Sequence, residues 1–248
     1  MSIFRAERGK WTQKINKYQK ASDQAWPRLC LRSISFILPA SCKHSLRGGK
    51  EAKVPGWQIL VATLAAYALG CIASAYYLVR VVKGQDIRTL GSGNVGGRNA
   101  GRVLGRAGFA AVAVLDALKG LLAVMLARYL GVGGWGLLPV MLAAVAGHIW
   151  PAQLGFRGGK GIATMVGALL AYNYVIPLLL AGMVLALLAL LRSFTLAGML
   201  AIGLLPLLAL ALGYPADTVV ALVLLAALAI YAHRHNLLAR LRPASGRA

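Results

Sequence analysis

Between Trp57 and Ala232 the chain reads as a succession of apolar stretches, roughly 57–79, 107–130, 134–154, 161–173, 175–191, 196–213 and 216–232. Runs of this kind leave too few polar residues to cover a water-soluble fold. Of the 248 residues, 59% are hydrophobic and 13% charged, with a mean hydropathy of +0.69, whereas soluble domains carry about a quarter charged residues. The pattern predicts an all-α integral membrane protein. Several stretches fall short of the ~20 residues that cross a bilayer perpendicular to its plane. Residues 161–191 fit one tilted helix or two short ones. Asn173 lies between two tyrosines with Pro177 beyond it, and proline disfavours helix at the residue before it, so a turn is favoured there. The count is then seven helices.

Charge places them. Lys and Arg number 27 against 6 Asp and Glu, a net charge of +21. These cations alternate with apolar runs instead of gathering on a soluble module, which argues against nucleic acid and for an anionic leaflet or an anionic substrate. With seven helices, one side receives Arg80, Lys83, Arg88, Arg98, Arg102 and Arg106 in the loop 80–106. It also receives Arg157 and Lys160 after the third helix, Arg192 after the fifth, and Arg234, Arg240, Arg242 and Arg247 at the C-terminus. The opposite loops carry only Asp217. The positive-inside rule then puts the basic side and the C-terminus in the cytoplasm and residue 57 outside. A five- or six-helix count scatters the same charges over both faces. Residues 1–53 break the pattern: they hold twelve basic residues and three acids, and their best apolar run, Ile34 to Ala40, is too short to span. They read as a basic N-terminal extension, disordered or upstream of the native start, ahead of a membrane domain over 54–248. Cys30, Cys42 and Cys71 lack metal-ligand spacing, and their odd number argues against a disulfide framework.

The unusual polar residues collect at the basic side. Gly91-Ser92-Gly93-Asn94-Val95-Gly96 is formally G-x-G-x-x-G. A dinucleotide site needs a buried strand before such glycines and a helix packed on a sheet after them, and no βαβ pattern exists here. The loop instead interleaves Ser92, Asn94, Asn99, Arg98 and Arg102 with glycines, a combination of converging backbone N–H groups and guanidinium forks that suits a phosphate. A second stretch runs Gly147-His148 to Pro151, then Gly155-Phe156-Arg157-Gly158-Gly159-Lys160-Gly161 and Thr164. Its G-x-x-x-G-K-G spacing is one residue short of a P-loop and lacks the hydroxyl that would hold magnesium. It presents Lys160 at a helix start, where anions are favoured, while Arg157 reads equally well as a topology charge. Asp116 and Lys119 sit at i, i+3 inside an apolar helix and neutralise each other, a structural pair facing the bundle interior. His233 and Asn236 share a face at the end of the last helix. An H-x-x-x-x-D motif is absent, since Gln153 occupies the fifth position after His148, and no carboxylate cluster suits a divalent metal.

In this order and spacing the blocks are specific. The chain resembles the bacterial acyl-phosphate:glycerol-3-phosphate acyltransferase family, the PlsY type, from about residue 59 to 241. The match rests on Asp86 and Arg88 through Ser92-Gly93-Asn94, Gly96, Asn99 and Arg102; on Asp116, Lys119 and Gly120; on Gly147-His148, Pro151, Gly158-Gly159-Lys160-Gly161, Ala163 and Thr164; and on His233, Arg234 and Asn236. The resemblance implies seven transmembrane helices with the N-terminus outside, and a cytoplasmic active site in the bacterial inner membrane. It implies transfer of a fatty acyl group from acyl phosphate to the 1-hydroxyl of sn-glycerol 3-phosphate, with no cofactor or metal. An upstream enzyme then makes the donor. It further implies catalytic roles for Ser92, Lys160, His233 and Asn236. Gly93, Asn94, Asn99, Arg102, Gly158, Gly159 and Thr195 would bind substrate. The chain departs from that pattern at Arg98, where Thr is usual, at Cys71 and Ala73 in a first-helix G-S-I-P stretch, at Thr195 and Gly198 where Ser is usual, and in lacking a C-terminal Glu. The rival reading, a transporter of anionic metabolites, would be expected to show internal repeats and helices broken at the midplane, and the sequence shows no convincing repeat.

Overall fold

The computed structural model describes residues 54–241, with side chains through His235. The extension 1–53, the side chains of Asn236 and Arg240, and Arg242 and Arg247 lie outside the described residues. The regular elements among the described residues are helical: α1 (Gly56–Cys71), α2 (Ser74–Lys83), α3 (Gly97–Tyr129), α4 (Leu137–Ile149), α5 (Ile162–Tyr172), α6 (Val175–Leu191), α7 (Phe194–Ala211) and α8 (Ala216–Leu241). Single 3-10 turns cover Ile87–Thr89, Gly134–Gly136 and Ala152–Leu154. Five segments are long and apolar enough to cross a membrane: Gly56–Lys83, Gly97–Tyr129, Gly134–Leu154, Phe194–Ala211 and Ala216–His235; α5 and α6 are shorter apolar helices. Large apolar side chains such as Leu64, Val114, Leu185 and Leu207 are exposed on the outside. That surface suits lipid as the solvent.

Two expected boundaries move. The first stretch, read as one helix over 57–79, is two helices parted at Ile72 and Ala73. The break frees two carbonyls from the helical ladder: Gln153 Nε2 donates to the Cys71 carbonyl, and the Ile72 carbonyl accepts from Lys119 Nζ at 2.7 Å and from the Ser74 N–H at 3.1 Å. Irregular backbone at membrane depth persists only where protein satisfies it in this way. The second stretch, expected from 107, becomes helical at Gly97. Its first turns are amphipathic: Ala100 is buried with Val103 and Leu104 partly so, while Arg98 and Arg102 stay exposed. Gly105, at φ 74° and ψ −167°, then kinks α3 and separates these turns from the spanning part.

Close-packed seams join the helices. α1 lies along α4 and α3 along α5, while α7 packs on both α6 and α8. With lipid outside, helices gain little from apolar burial and associate through close backbone approach. Gly70 of α1 and Gly147 of α4 seat each other's backbone at Ala144 and Tyr67. Gly120 of α3 rests on the Thr164 carbonyl of α5, and Gly167 of α5 rests on the Ala117 carbonyl of α3. A larger apolar core fills the helical body, and a smaller one gathers Ala75, Val79, Ile87, Val95, Ala100, Val112 and Leu154 beneath the loops.

Contacts between loops sort the two ends of the bundle. At one end the segments near 88, 95, 154, 159 and 195 meet through Arg88, Gly159 and Arg98. At the other, Arg128 donates to the Tyr172 carbonyl at 2.7 Å and the Tyr172 hydroxyl meets Thr218 Oγ1 at 2.6 Å. Among the described residues, three of the segments that charge counting put on one side, near 88–98, 154–159 and 195, therefore meet at one end. Arg128 sits at the opposite end, where it is spent on the C-terminal carbonyl of α5.

Candidate active site

The first loop is shaped from within. Asp86 accepts from the Arg88 backbone N–H at 2.9 Å and from its guanidinium, with Nη2 at 2.6 Å, while Arg88 Nη1 donates across to the Leu154 carbonyl at 3.2 Å. The Arg88 fork holds the Asp86 carboxyl below the usual carboxylate range. Asn99, 0% exposed, spends its amide on the same loop. Its Oδ1 accepts from Ser92 N at 2.8 Å, and its Nδ2 donates to the carbonyls of Leu90 at 2.9 Å and Ile87 at 3.3 Å. Gly93 turns at φ 69°, a backbone that other residues rarely adopt. Ser92 and Arg102 are left exposed, with Gly93 and Asn94 half-buried.

The second loop folds back over the end of α4. Gly158 N donates to the Ile149 carbonyl at 3.1 Å and Gly159 N donates to the His148 carbonyl at 3.0 Å. A methyl at Gly158 would strike those carbonyls, and one at Gly159 would strike the His148 ring and the Val95 carbonyl. These glycines are there for close approach between the two loops. Lys160 emerges half-buried just before α5, whereas Arg157 is exposed.

Beneath both loops lies a polar cluster that the sequence showed only in part. Lys119, 4% exposed, sits 3.1 Å from Asp116 Oδ1 and 2.9 Å from His148 Nδ1, besides capping Ile72. An ammonium only donates, so His148 Nδ1 accepts and its proton resides on Nε2, the edge facing Gly159. The Asp116–Lys119 pair was legible as a structural pair. His148 as its third member was not, because i, i+3 spacing reports only neighbours on one helix.

Cations from separate elements converge above this layer. Arg98, on the first turn of α3, donates from Nη1 to the hydroxyl of buried Thr195 on α7 at 3.3 Å. Burial, and then the charges of Arg98 and Arg102, hold the Lys160 amine below the ordinary lysine pKa. Lys160 and Arg98 in turn act on His233 of α8. His233 Nδ1 lies 2.9 Å from the Ala229 carbonyl. A carbonyl only accepts, so Nδ1 carries the proton and Nε2 of the neutral ring keeps a free lone pair. The arrangement offers the Arg98 guanidinium held at Thr195, the exposed guanidinium of Arg102 and the Lys160 ammonium for anionic groups, with an imidazole acceptor nearby.

The family model for glycerol-3-phosphate acyltransferase matches residues 60–242. The chain belongs to the glycerol-3-phosphate acyltransferase family. It is 42% identical over 196 residues to glycerol-3-phosphate acyltransferase 1 of Desulfitobacterium hafniense (strain Y51), covering 79% of this chain and 97% of that protein. To the glycerol-3-phosphate acyltransferase of Clostridioides difficile (strain 630) it is 40% identical over 183 residues, covering 72% and 89%. Among solved structures it resembles PlsY (YgiH), an integral membrane glycerol 3-phosphate acyltransferase, in its glycerol 3-phosphate form. The TM-score is 0.68 at 35% identity, over 74% of this chain and 92% of that one. Membership places this acyltransferase in phospholipid biosynthesis.

Of the residues expected at an acyltransferase site, Lys160, Thr195 and His233 are linked through Arg98, which the expected set did not contain, and Arg102 joins them through Lys160. Gly158 and Gly159 form the seam between the loops, and Asn99 lies inside the first loop with its amide committed to backbone. Asn236 is one residue beyond the described side chains.

Proposed function

We propose that this chain transfers a fatty acyl group from acyl phosphate to the 1-hydroxyl of sn-glycerol 3-phosphate, giving 1-acylglycerol 3-phosphate and inorganic phosphate. The observation that carries this reading is the convergence of Arg98, Arg102, Lys160 and His233 on one end of an apolar bundle, in a chain of the glycerol-3-phosphate acyltransferase family. Acyl phosphate is already activated, because phosphate is a good leaving group, and the reading calls for no metal or cofactor. The site must hold two phosphate-bearing molecules side by side and stabilise negative charge. Lys160 and Arg102 supply positive charge for the phosphates. Thr195 and Ser92 offer hydroxyls, and Asn94 with Gly93 lines the first loop. Asn99, Gly158 and Gly159 act at one remove, by fixing the shape of the loops.

In the transfer step the glycerol hydroxyl oxygen forms a bond to the acyl carbon, and the bond from that carbon to the phosphate oxygen breaks. The hydroxyl proton passes to a phosphate oxygen of the substrates, and the electron pair of the broken bond leaves with phosphate. The one proton of that hydroxyl faces the phosphate oxygen that takes it, while His233 and Asn236 position the glycerol for attack. The eleven residues of α5 rise only about 16 Å at 1.5 Å per residue, about half of a hydrocarbon core of ~30 Å, and on this reading it is the loop that starts α5 that dips toward bilayer depth. A donor whose chain rests in lipid can then present its carbonyl to Lys160 without leaving the membrane.

We read the five long segments and the two shorter apolar helices as seven crossings of the bacterial inner membrane. Residue 57 is then outside, the site and the C-terminus face the cytoplasm, and 54–248 forms the acyltransferase unit. An upstream enzyme supplies the acyl phosphate. The test is a competition assay of purified protein with glycerol 3-phosphate and equal concentrations of acyl phosphate, acyl-CoA and acyl carrier protein as donors. Acyl phosphate alone should yield lysophosphatidic acid with one phosphate released per product. Transfer from acyl-CoA at a comparable rate would refute the donor assignment.

A further inference from the structure

We propose that Arg98 is a phosphate-binding residue of this site, a cation beyond Lys160 and Arg102 that grips the phosphate of one substrate. The inference rests on the acyltransferase reading, which requires two phosphate-bearing molecules in the site together. The phosphate of each, a monoester in glycerol 3-phosphate and an acyl anhydride in the donor, carries nearly two negative charges near neutral pH, and Lys160 with Arg102 offers only two positive ones.

Position makes the case. Arg98 and Arg102 stand four residues apart on the first turns of α3, so both project from one face. Arg98 reaches across the site to Thr195 on α7, and its single hydrogen bond there is a long one to a neutral hydroxyl. A guanidinium has five N–H donors, so most of this fork remains available. Among the described residues no carboxylate pairs with Arg98, whereas Arg88 in the same loop is neutralised by Asp86 and Lys119 by Asp116. Arg98 and Arg102 both act on the Lys160 amine, so the three cations carry like charge within reach of one another. A cluster of like charges without counter-ions is relieved by an arriving anion, and a guanidinium fork matches two phosphate oxygens at once. The Thr195 hydroxyl holds the fork in place until the phosphate displaces it or joins it.

The experiment compares wild type with R98Q and R98K in membranes at matched protein level. Initial rates are taken over series of glycerol 3-phosphate and of acyl phosphate, and thermal unfolding is followed with and without each substrate. Gln keeps a donor able to reach toward Thr195 but removes the charge; Lys keeps the charge but not the fork. R98Q should raise the KM of one substrate roughly tenfold or more, with kcat within about threefold and the ligand-free Tm unchanged. The same substrate should lose most of its protection against unfolding. R98K should fall between. A rise confined to glycerol 3-phosphate assigns Arg98 to the acceptor, and one confined to acyl phosphate assigns it to the donor. Wild-type KM values and protection in R98Q would overturn the proposal. So would a fall in kcat with both KM values intact, which marks Arg98 as a tie between α3 and α7. If wild type neither turns over nor gains protection from glycerol 3-phosphate, the acyltransferase reading fails by itself. Protection by inorganic phosphate then decides Arg98: its loss in R98Q sustains an anion contact, and equal protection overturns it.

Discussion

At the scale of single residues, Lys160 and Arg157 look alike in sequence and differ in place. Lys160 is half-buried beside Arg98 and Arg102, and Arg157 is exposed. A charge-assisted bond to phosphate is worth about 1.5–3 kcal/mol, so Lys160→Ala should lower kcat/KM for glycerol 3-phosphate roughly tenfold to a hundredfold or more, at 1.36 kcal/mol per decade. Arg157→Ala should cost far less, and initial rates across a glycerol 3-phosphate series check both. The pH profile carries a sign. Burial, Arg98 and Arg102 hold the Lys160 amine below its usual value of 10.5, with His233 facing the same group from α8. A bound phosphate favours the charged form, so affinity is full below the lowered pKa and lost as pH rises through it. KM for glycerol 3-phosphate should therefore climb on the alkaline side before pH 10.5. In R98Q that limb should shift upward, since one repelling charge is gone. The residue types of this site were legible because Ser, Asn, Arg and Lys in apolar surroundings are costly unless used, and because clustered glycines mark turns and close backbone approach. Their division of labour was not. The string Gly96-Gly97-Arg98-Asn99 gives no sign that Asn99 turns inward to the loop and Arg98 outward to Thr195.

At the scale of elements, hydropathy gave the helices because lipid-facing and core-facing residues alike must be apolar. It could not give the break at Ile72, since neither Ile72 nor Ala73 is a helix breaker. The break depends on Lys119 and Gln153, some 47 and 82 residues away in sequence. Removing one partner of a buried ion pair typically costs about 3–5 kcal/mol, and Lys119→Met also leaves the Ile72 carbonyl with the Ser74 N–H as its one remaining donor. That variant should unfold at clearly lower temperature or denaturant than wild type, and adding Asp116→Asn should recover part of the loss. Equal stability of K119M and wild type would refute the capping role. The α3–α5 seam predicts that Gly167→Leu, which drives a side chain into the Ala117 backbone, is strongly destabilising. Gly182→Leu, with no atom within 4 Å of its added carbon, should be tolerated. Thermal unfolding in detergent of the two leucine variants compares them directly.

At the scale of the whole molecule, charge counting assigned loops to sides, and contacts bring three of the basic segments, near 88–98, 154–159 and 195, to one end. Arg128 is the instructive exception: a cation at the end away from the site, spent on the Tyr172 carbonyl, where positive-inside bias alone would not place one. Orientation is the remaining step, and it joins topology to chemistry. If the cation cluster is the transfer site and faces the cytoplasm, glycerol 3-phosphate, which is charged and does not cross lipid, must arrive from that side. The most direct measurement is lysophosphatidic acid formation in sealed vesicles of both orientations, with acyl phosphate partitioned into the bilayer and glycerol 3-phosphate added outside. Inside-out vesicles should make product at once, and right-side-out vesicles only after permeabilisation. Product formation at equal rates in intact vesicles of both orientations, or only in right-side-out ones, would contradict the account.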